Sequence, residues 1–408
     1  MKIKQTIIFL VSLLVSMNVM AEEATTDSVA QGESQLATDI TASLIIAEPA
    51  NDLYGGFGHC AIRMQCPSHD MDYCFSYSLE YTLKNQFDFF NGTGRGVFQP
   101  MATSDFLMEY DGTHRGVKEY VLNLNLDEKR LLWQRLDENV KNGPSTKYNY
   151  LTTNCSSMCV LTIYQAMQNE SIMYGELPPE LTGTYRDFVI GEGEPGSWSQ
   201  LFWTTILGAM GDEYGNLETK LSPRWVTKVW GKSKIVNDST KEMRPVFLGE
   251  PKALYDDHLE IPPTVITPVL VFSILIFLSL LFSVLQLRGK CRKAVRTYDI
   301  VLLIGQTLAG LVVFYMCFLS QHESAHYNPQ VIALNPLPLI GFLVALKKPN
   351  AKFGFALCYT LMLVAYLVVS IFNPQTMLAH VLGAVALLIR SAVIAYCERK
   401  RMRQVENS

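Results

Sequence analysis

Two short stretches of this 408-residue chain hold residue types that can do covalent chemistry. Gly55-Gly56-Phe57-Gly58-His59 places an imidazole straight after a glycine-rich turn, and Thr152-Thr153-Asn154-Cys155-Ser156-Ser157 places a thiol at the head of an apolar stretch. A thiol at a helix start has its thiolate stabilised by the unpaired first N–H groups and the positive end of the helix dipole. Those N–H groups, in a turn shaped by Asn154 and Ser156, can also hold the oxyanion of a tetrahedral intermediate. An imidazole within reach completes a nucleophile–base pair, so Cys155 and His59 are the candidate nucleophile and base. A buried core thiol and a structural histidine would leave the same trace.

The elements that must position them read as a mixed α+β domain. Leu44–Ala47, Cys60–Met64 and Tyr73–Tyr77 have the composition of short strands, the last two joined as a hairpin through the turn at Pro67–Asp70. Phe87–Gly94 reads as an aromatic, glycine-bearing loop and Lys118–Leu124 as another strand. Asp127–Asn139 reads as an amphipathic helix capped by Asn125 or Asp127, and Met158–Met167 as the apolar helix behind Cys155.

The domain layout follows from composition. Residues 1–21 have the form of a signal peptide: Lys2 and Lys4, an apolar Ile7–Val19 run and a Val19-Met20-Ala21 cleavage site. Residues 22–40 are polar and lack aromatics, as disordered segments do. Residues 41–256 form the α+β domain and 257–403 a membrane domain of five apolar runs: Thr264–Leu287, Tyr298–Leu319, Val331–Leu346, Phe353–Phe372 and Thr376–Tyr396. The third is short and holds Pro336 and Pro338, so a kink or re-entrant course is expected. Arg390 in the fifth is placed to snorkel to the interface.

Basic residues follow spans one (Arg288 to Arg296), three (Lys347, Lys348, Lys352) and five (Arg399 to Arg403), while the two other loops have no Lys or Arg. That alternation orients the α+β domain outside the cytoplasm and the C-terminus inside, in the inner membrane. The net charge of −4, with no basic patch in the first half, gives no reason to expect a nucleic-acid partner.

Several further residues could contribute. The outer loop between spans two and three carries His322, His326 and Asn328, a candidate headgroup or substrate contact. Arg63, on the strand after His59, and more weakly Arg186 could bind a phosphate, with a structural ion pair as the alternative. His380 inside span five reads as a packed or hydrogen-bonded residue. Of nine cysteines, the exported domain holds Cys60, Cys66, Cys74, Cys155 and Cys159, an odd number that leaves a thiol unpaired in an oxidising compartment. Cys66 could pair with Cys74, and Cys60 with Cys159. A zinc site of Cys60, Cys66, His69 and Cys74 ranks below these pairings because its spacing is irregular.

Gly-Phe-Gly-His59-x-x-x-Arg63 together with Tyr-x-Tyr-x-Thr-Thr-Asn-Cys155 resembles the Lnb family of lipoprotein N-acyltransferases, as do Leu334-Asn335-Pro336-Leu337-Pro338 and the number of spans. Cys60 departs from that pattern. The resemblance implies a circularly permuted papain-like, NlpC/P60-type fold with His before Cys. It further implies a thiol-dependent transferase that moves an acyl chain from a membrane phospholipid, through a Cys155 thioester, to the α-amino group of a diacylated lipoprotein. No metal and no cofactor are required. In permuted folds the third catalytic residue comes from the strand after the histidine, which points to Asp72, with Asp70 and Tyr77 as substitutes. A cell-wall cysteine endopeptidase or amidase and a non-enzymatic membrane assembly protein are the competing functions. A soluble wall substrate does not require five spans, and an inactive domain does not require His59 and Cys155.

Overall fold

The computed structural model describes residues 39–50, 55–79, 83–144, 146–258, 264–373 and 376–406. The signal-peptide reading, and all but the last two residues of the polar segment, lie outside the described residues.

The α+β domain is built on one seven-stranded sheet. Its strands are β1 (Thr41–Ala47), β2 (His59–Cys66), β3 (Met71–Ser78), β4 (Arg95–Ala102), β5 (Val117–Val121), β6 (Thr146–Lys147) and β10 (Lys252–Tyr255). They lie in the order β10-β5-β1-β2-β3-β4-β6, each pairing antiparallel. Strands β7 (Glu170–Met173), β8 (Lys234–Asn237) and β9 (Met243–Pro245) form a separate small sheet.

Both faces of the central strands are covered, so β1 and β2 are buried nearly throughout rather than on alternate residues. Cys60, Ile62 and Met64 of β2 point into the larger core with Cys159, Val160 and Ile163 of the helix that Cys155 begins. Ala61 and Cys74 point the other way, onto Phe106 and Tyr110. Each Val or Ile fully buried in such a core contributes about 2 kcal/mol.

The helices of this domain are α1 (Leu83–Asn91), α2 (Thr103–Met108), α3 (Leu126–Asn142), α4 (Cys155–Ala166), α5 (Pro179–Thr182), α6 (Tyr185–Glu192), α7 (Trp198–Ile206) and α8 (Pro223–Trp230). Asn125 caps α3 through a capping box with Glu128. The stretch expected to be a loop at Phe87–Gly94 is helical to Asn91. Gly92, at φ 72°, ends it, and a Cβ there would lie 2.8 Å from the backbone N of His322. The glycine marks a close approach between α1 and the outer membrane loop.

Five helices long and apolar enough to cross a membrane follow, spanning Pro268–Leu287, Arg292–Phe318, Pro329–Lys347, Ala351–Phe372 and Leu378–Gln404. The helices themselves are α9 (Pro268–Leu287), α10 (Arg292–Phe318), α11 (Leu337–Lys347), α12 (Ala351–Phe372) and α13 (Leu378–Glu406). The third span is broken: a 3-10 turn at Pro329–Ile332 precedes the eleven-residue α11. Arg390 does not snorkel. It is 2% exposed and bound to Asp299 (2.9 Å), Ser283 (2.8 Å) and Gln286 (2.7 Å), because an apolar bundle favours a paired guanidinium over a solitary one.

Candidate active site

The geometry starts at the beginning of β2. Gly58 adopts φ 80°, and a Cβ on it would lie 2.7 Å from the Ala47 carbonyl oxygen. Only glycine lets the turn come this close to β1 before delivering His59. Opposite, Asn154 caps α4: its Oδ1 accepts from the N–H groups of Ser156 (3.0 Å) and Ser157 (3.1 Å), and Ser157 Oγ accepts from the Asn154 N–H (2.9 Å). This reciprocal cap places Cys155 at the first position of the helix.

His59 and Cys155 come together at one cavity, close enough for each to influence the other's charge. Burial by itself disfavours the imidazolium, but the charge and hydrogen bond of Cys155 outweigh it and raise the His59 pKa above its ordinary value. Burial likewise pushes the thiol up, yet His59, the backbone N–H of Cys60 and the Ser156 hydroxyl together bring Cys155 below its ordinary value. Both shifts favour a thiolate–imidazolium pair. Cys60, the residue that departs from the family pattern, thus contributes its backbone to the site.

The group that orients His59 is Ser76, whose Oγ lies 2.7 Å from Nε2. In the hairpin register Ala61 faces Ser76, which makes Ser76 a diagonal neighbour of His59. Asp72 does not fill this role. It faces Gln65 in the same register and stands four residues along β3 from Ser76, about 13 Å at strand rise. Its carboxylate is held by Arg63 (2.6 and 2.7 Å), Thr103 (2.6 Å) and Gln65 (3.2 Å). Asp70 sits in the hairpin turn with a left-handed backbone, and Tyr77 stacks on Tyr148.

A cavity of about 730 Å3 opens over the pair. Ser76, Tyr148, Tyr150, Trp203, Glu109 and Arg115 are among the residues lining it. Tyr148 is the notable one: its hydroxyl accepts from the Cys155 backbone N–H. Asn154 occupies the Ser156 and Ser157 N–H groups, so an oxyanion at the thiol would have to take the Cys155 N–H from the Tyr148 oxygen, whose O–H could then donate to it. Asn154 acts through its cap, and Ser156 through its hydroxyl, 3.9 Å from the Cys155 sulfur.

Other expected contacts lie elsewhere. Arg63 is 8% exposed and forms an ion pair with Asp72 and, at 3.0 Å, with Glu119, so it braces the sheet. Arg186 is tied to Asp212 (2.9 Å) and to the Gly208 carbonyl (3.1 Å). His322, His326 and Asn328 are absent from the cavity lining. Their side chains bind backbone carbonyls instead, of Phe89 (2.7 Å), Ser320 (3.0 Å) and Thr205 (2.8 Å). Burial lowers the His322 pKa, as suits a neutral structural imidazole. With Gln321 N–H bound to the Asn91 carbonyl and Lys147 to that of Gln321, both at 2.7 Å, this loop fastens the α+β domain to the bundle. His380 is hydrogen-bonded to Thr205 at 2.8 Å.

All five cysteines of the domain are free thiols. Cys66 and Cys74 project from opposite faces of the sheet into different cores, which prevents their pairing. Cys60 and Cys159 are neighbours in one core without a bridge. Cys66 and His69 gather with Asp39, whereas Cys60 and Cys74 are not in that group.

The sequence alone gives no site role to Ser76, Tyr148, Glu109 or Arg115. Hairpin register could have found Ser76, and the Tyr-x-Tyr before Asn154 flagged Tyr148. Glu109 and Arg115 carry no local signal.

Fold and site define a membrane-embedded protein that carries a thiol–imidazole pair in an extracytoplasmic α+β domain. Residues 30–182 match the Lnb N-terminal periplasmic domain and residues 260–402 the Lnb transmembrane domain, and the chain belongs to the Lnb family. It is therefore a multi-pass membrane protein with a periplasmic N-terminal domain, and its family role is lipoprotein-related. Neither a curated protein nor a solved structure matches it.

Proposed function

We propose that the protein is a lipoprotein N-acyltransferase of the inner membrane, with its C-terminus in the cytoplasm and a permuted papain-like catalytic domain. The observation that carries this reading is that His59 and Cys155 line one cavity in a periplasmic domain joined to five membrane spans. The Cys155 thiolate attacks the ester carbonyl of a membrane phospholipid, forming the S–C bond. The tetrahedral oxyanion is held by the Cys155 N–H and the Tyr148 hydroxyl. As the carbon–oxygen bond breaks, the His59 imidazolium gives its proton to the departing lysophospholipid. The α-amino group of a diacylated lipoprotein then attacks the thioester while neutral His59 takes its proton. The amide forms, the carbon–sulfur bond breaks, and the thiolate–imidazolium pair is restored. Atoms and charges balance with no cofactor.

Complementation in cells depleted of their own N-acyltransferase tests this. Mass spectrometry of a reporter lipoprotein's N-terminal peptide should show a third acyl chain with the wild type and none with Cys155→Ala. A triacylated peptide from Cys155→Ala, or none from the wild type, removes the proposal.

A further inference from the structure

A second cavity, of about 550 Å3, lies among the membrane helices. Its sides come from α9, α10 and α13, and its roof from α7 of the periplasmic domain. Its volume is in the range of sites that enclose a small molecule. Among the described residues its wall has no Lys, Arg, Asp or Glu.

The few polar side chains on the wall are spent on the protein itself. Thr205 bonds His380 (2.8 Å), Tyr298 bonds Ser279 (2.7 Å), Gln330 accepts from Tyr366 (2.7 Å) and Gln306 donates to the Asn335 carbonyl (2.7 Å). Gln306 Oε1 and His380 Nδ1 have no partner among the described residues, but both atoms are themselves covered. Water entering such a space would lack the two to four polar partners it needs. The chamber is a half-open hollow, and left unfilled it would forfeit dispersion contacts along its wall. Hydrocarbon is the filler that matches, and the bilayer supplies it.

Helix α7 connects this chamber to the reaction. Trp203 lines the cavity over Cys155, while Leu201, Phe202 and Thr205 line the membrane chamber. One short helix therefore separates the two. The charges stand on the catalytic side, where Arg115 packs over the Tyr110 ring at 4.9 Å beside Glu109. A phosphate diester belongs on that side, and an alkyl tail on the other.

We infer that the membrane chamber is a binding site for an acyl chain of the phospholipid donor, held next to the catalytic cavity across α7. This rests on the proposed acyl transfer for the identity of the lipid, and on the wall chemistry for the binding itself. The site restrains the donor by its tail while its ester reaches Cys155.

The glycines provide the test. A Cβ at Gly305, which lines the chamber, would meet nothing within 4 Å, and the same holds at Gly354 on α12, outside the lining. Gly305→Phe therefore fills the chamber from a position that accepts a side chain, and Gly354→Phe controls for adding a phenyl ring to a span. Full-length protein is placed in phosphatidylethanolamine–phosphatidylglycerol vesicles containing a phospholipid with a diazirine at the end of one acyl chain. Photolysis and peptide mass spectrometry locate the label. Wild type, Cys155→Ala and Gly354→Phe should all be labelled on the α7, α10 and α13 segments that line the chamber, and Gly305→Phe should lose that label while remaining folded. Labelling of those segments that survives Gly305→Phe, or labelling confined to outward-facing residues, overturns the inference. Because the readout does not need Cys155, correct labelling without Cys155-dependent acylation counts against the reaction and leaves the chamber standing.

Discussion

Two polar clusters lie along the same pair of strands. Near one end of β2 and β3 lie His59, Ser76 and Cys155; near the other lie Arg63, Asp72, Thr103 and Glu119. Both mix a base or cation with an acid or hydroxyl, and both are largely enclosed. Their difference is in what the partners do to each other. Arg63 and its two carboxylates satisfy one another, and Thr103 and Gln65 fill out the Asp72 oxygens. His59 and Cys155 shift each other toward the charged forms and face a cavity of about 730 Å3. Charge closed upon itself braces a sheet; charge held against open space is available for reaction.

The largest expected effect separates the clusters directly. His59→Ala should slow acyl-enzyme formation about 10³-fold, within the usual range for a positioned acid–base group. Since His59 helps lower the Cys155 pKa, its loss should also move the midpoint of Cys155 alkylation to higher pH. An unmoved midpoint would break the comparison at its centre. Arg63→Ala should act on stability instead. It leaves Glu119 buried without its cation, at a cost of about 3 kcal/mol in denaturant unfolding. Cys155 alkylation per folded molecule should be unchanged.

Ser76→Ala sharpens the division inside the reactive cluster. Removing one hydrogen bond to the imidazole should cost about 1 kcal/mol, about fivefold in rate, with the pH profile of alkylation displaced. An unchanged profile would make Ser76 a packing residue only. The smallest effect belongs to Asp72→Asn. Half-exposed and outside the reactive cluster, it should change acyl transfer less than about twofold and stability by less than about 1 kcal/mol. Partial burial raises the Asp72 carboxyl, but Arg63 and Thr103 hold it below its ordinary value. What stability it contributes is thus present above its unfolded pKa and lost as pH falls through the lower folded one. An acid midpoint of unfolding that is identical in Asp72→Asn would remove that contribution.

The misassignment of Asp72 shows where sequence reading stops. An acid on the strand after the histidine has the right type and a plausible place. Register, however, puts it opposite Gln65, and Arg63 claims it. The outer loop fails in the same way. His322, His326 and Asn328 look like ligands in a string of letters, but a folded loop must satisfy its own neighbours' carbonyls, and these side chains do so. The α1 helix was hidden because Gly92 and Gly94 suggest a turn, and only the first of them ends the helix.

By itself the sequence determined what depends on near neighbours. Hydropathy marks the five spans, basic residues alternate with them, and the strands and turn of the β2–β3 hairpin follow from composition. Asn154 sets the start of α4 and so puts Cys155 at a helix N-terminus. The tertiary structure decided which groups meet across the chain: Ser76 with His59, Cys60 N–H with the thiol, Tyr148 with the Cys155 backbone, and α7 between two cavities. The physical reason is range. Caps, periods and turns are settled within a few residues. A hydrogen-bond partner, in contrast, is settled by register and by which competing group arrives first, and both depend on segments tens to hundreds of residues away.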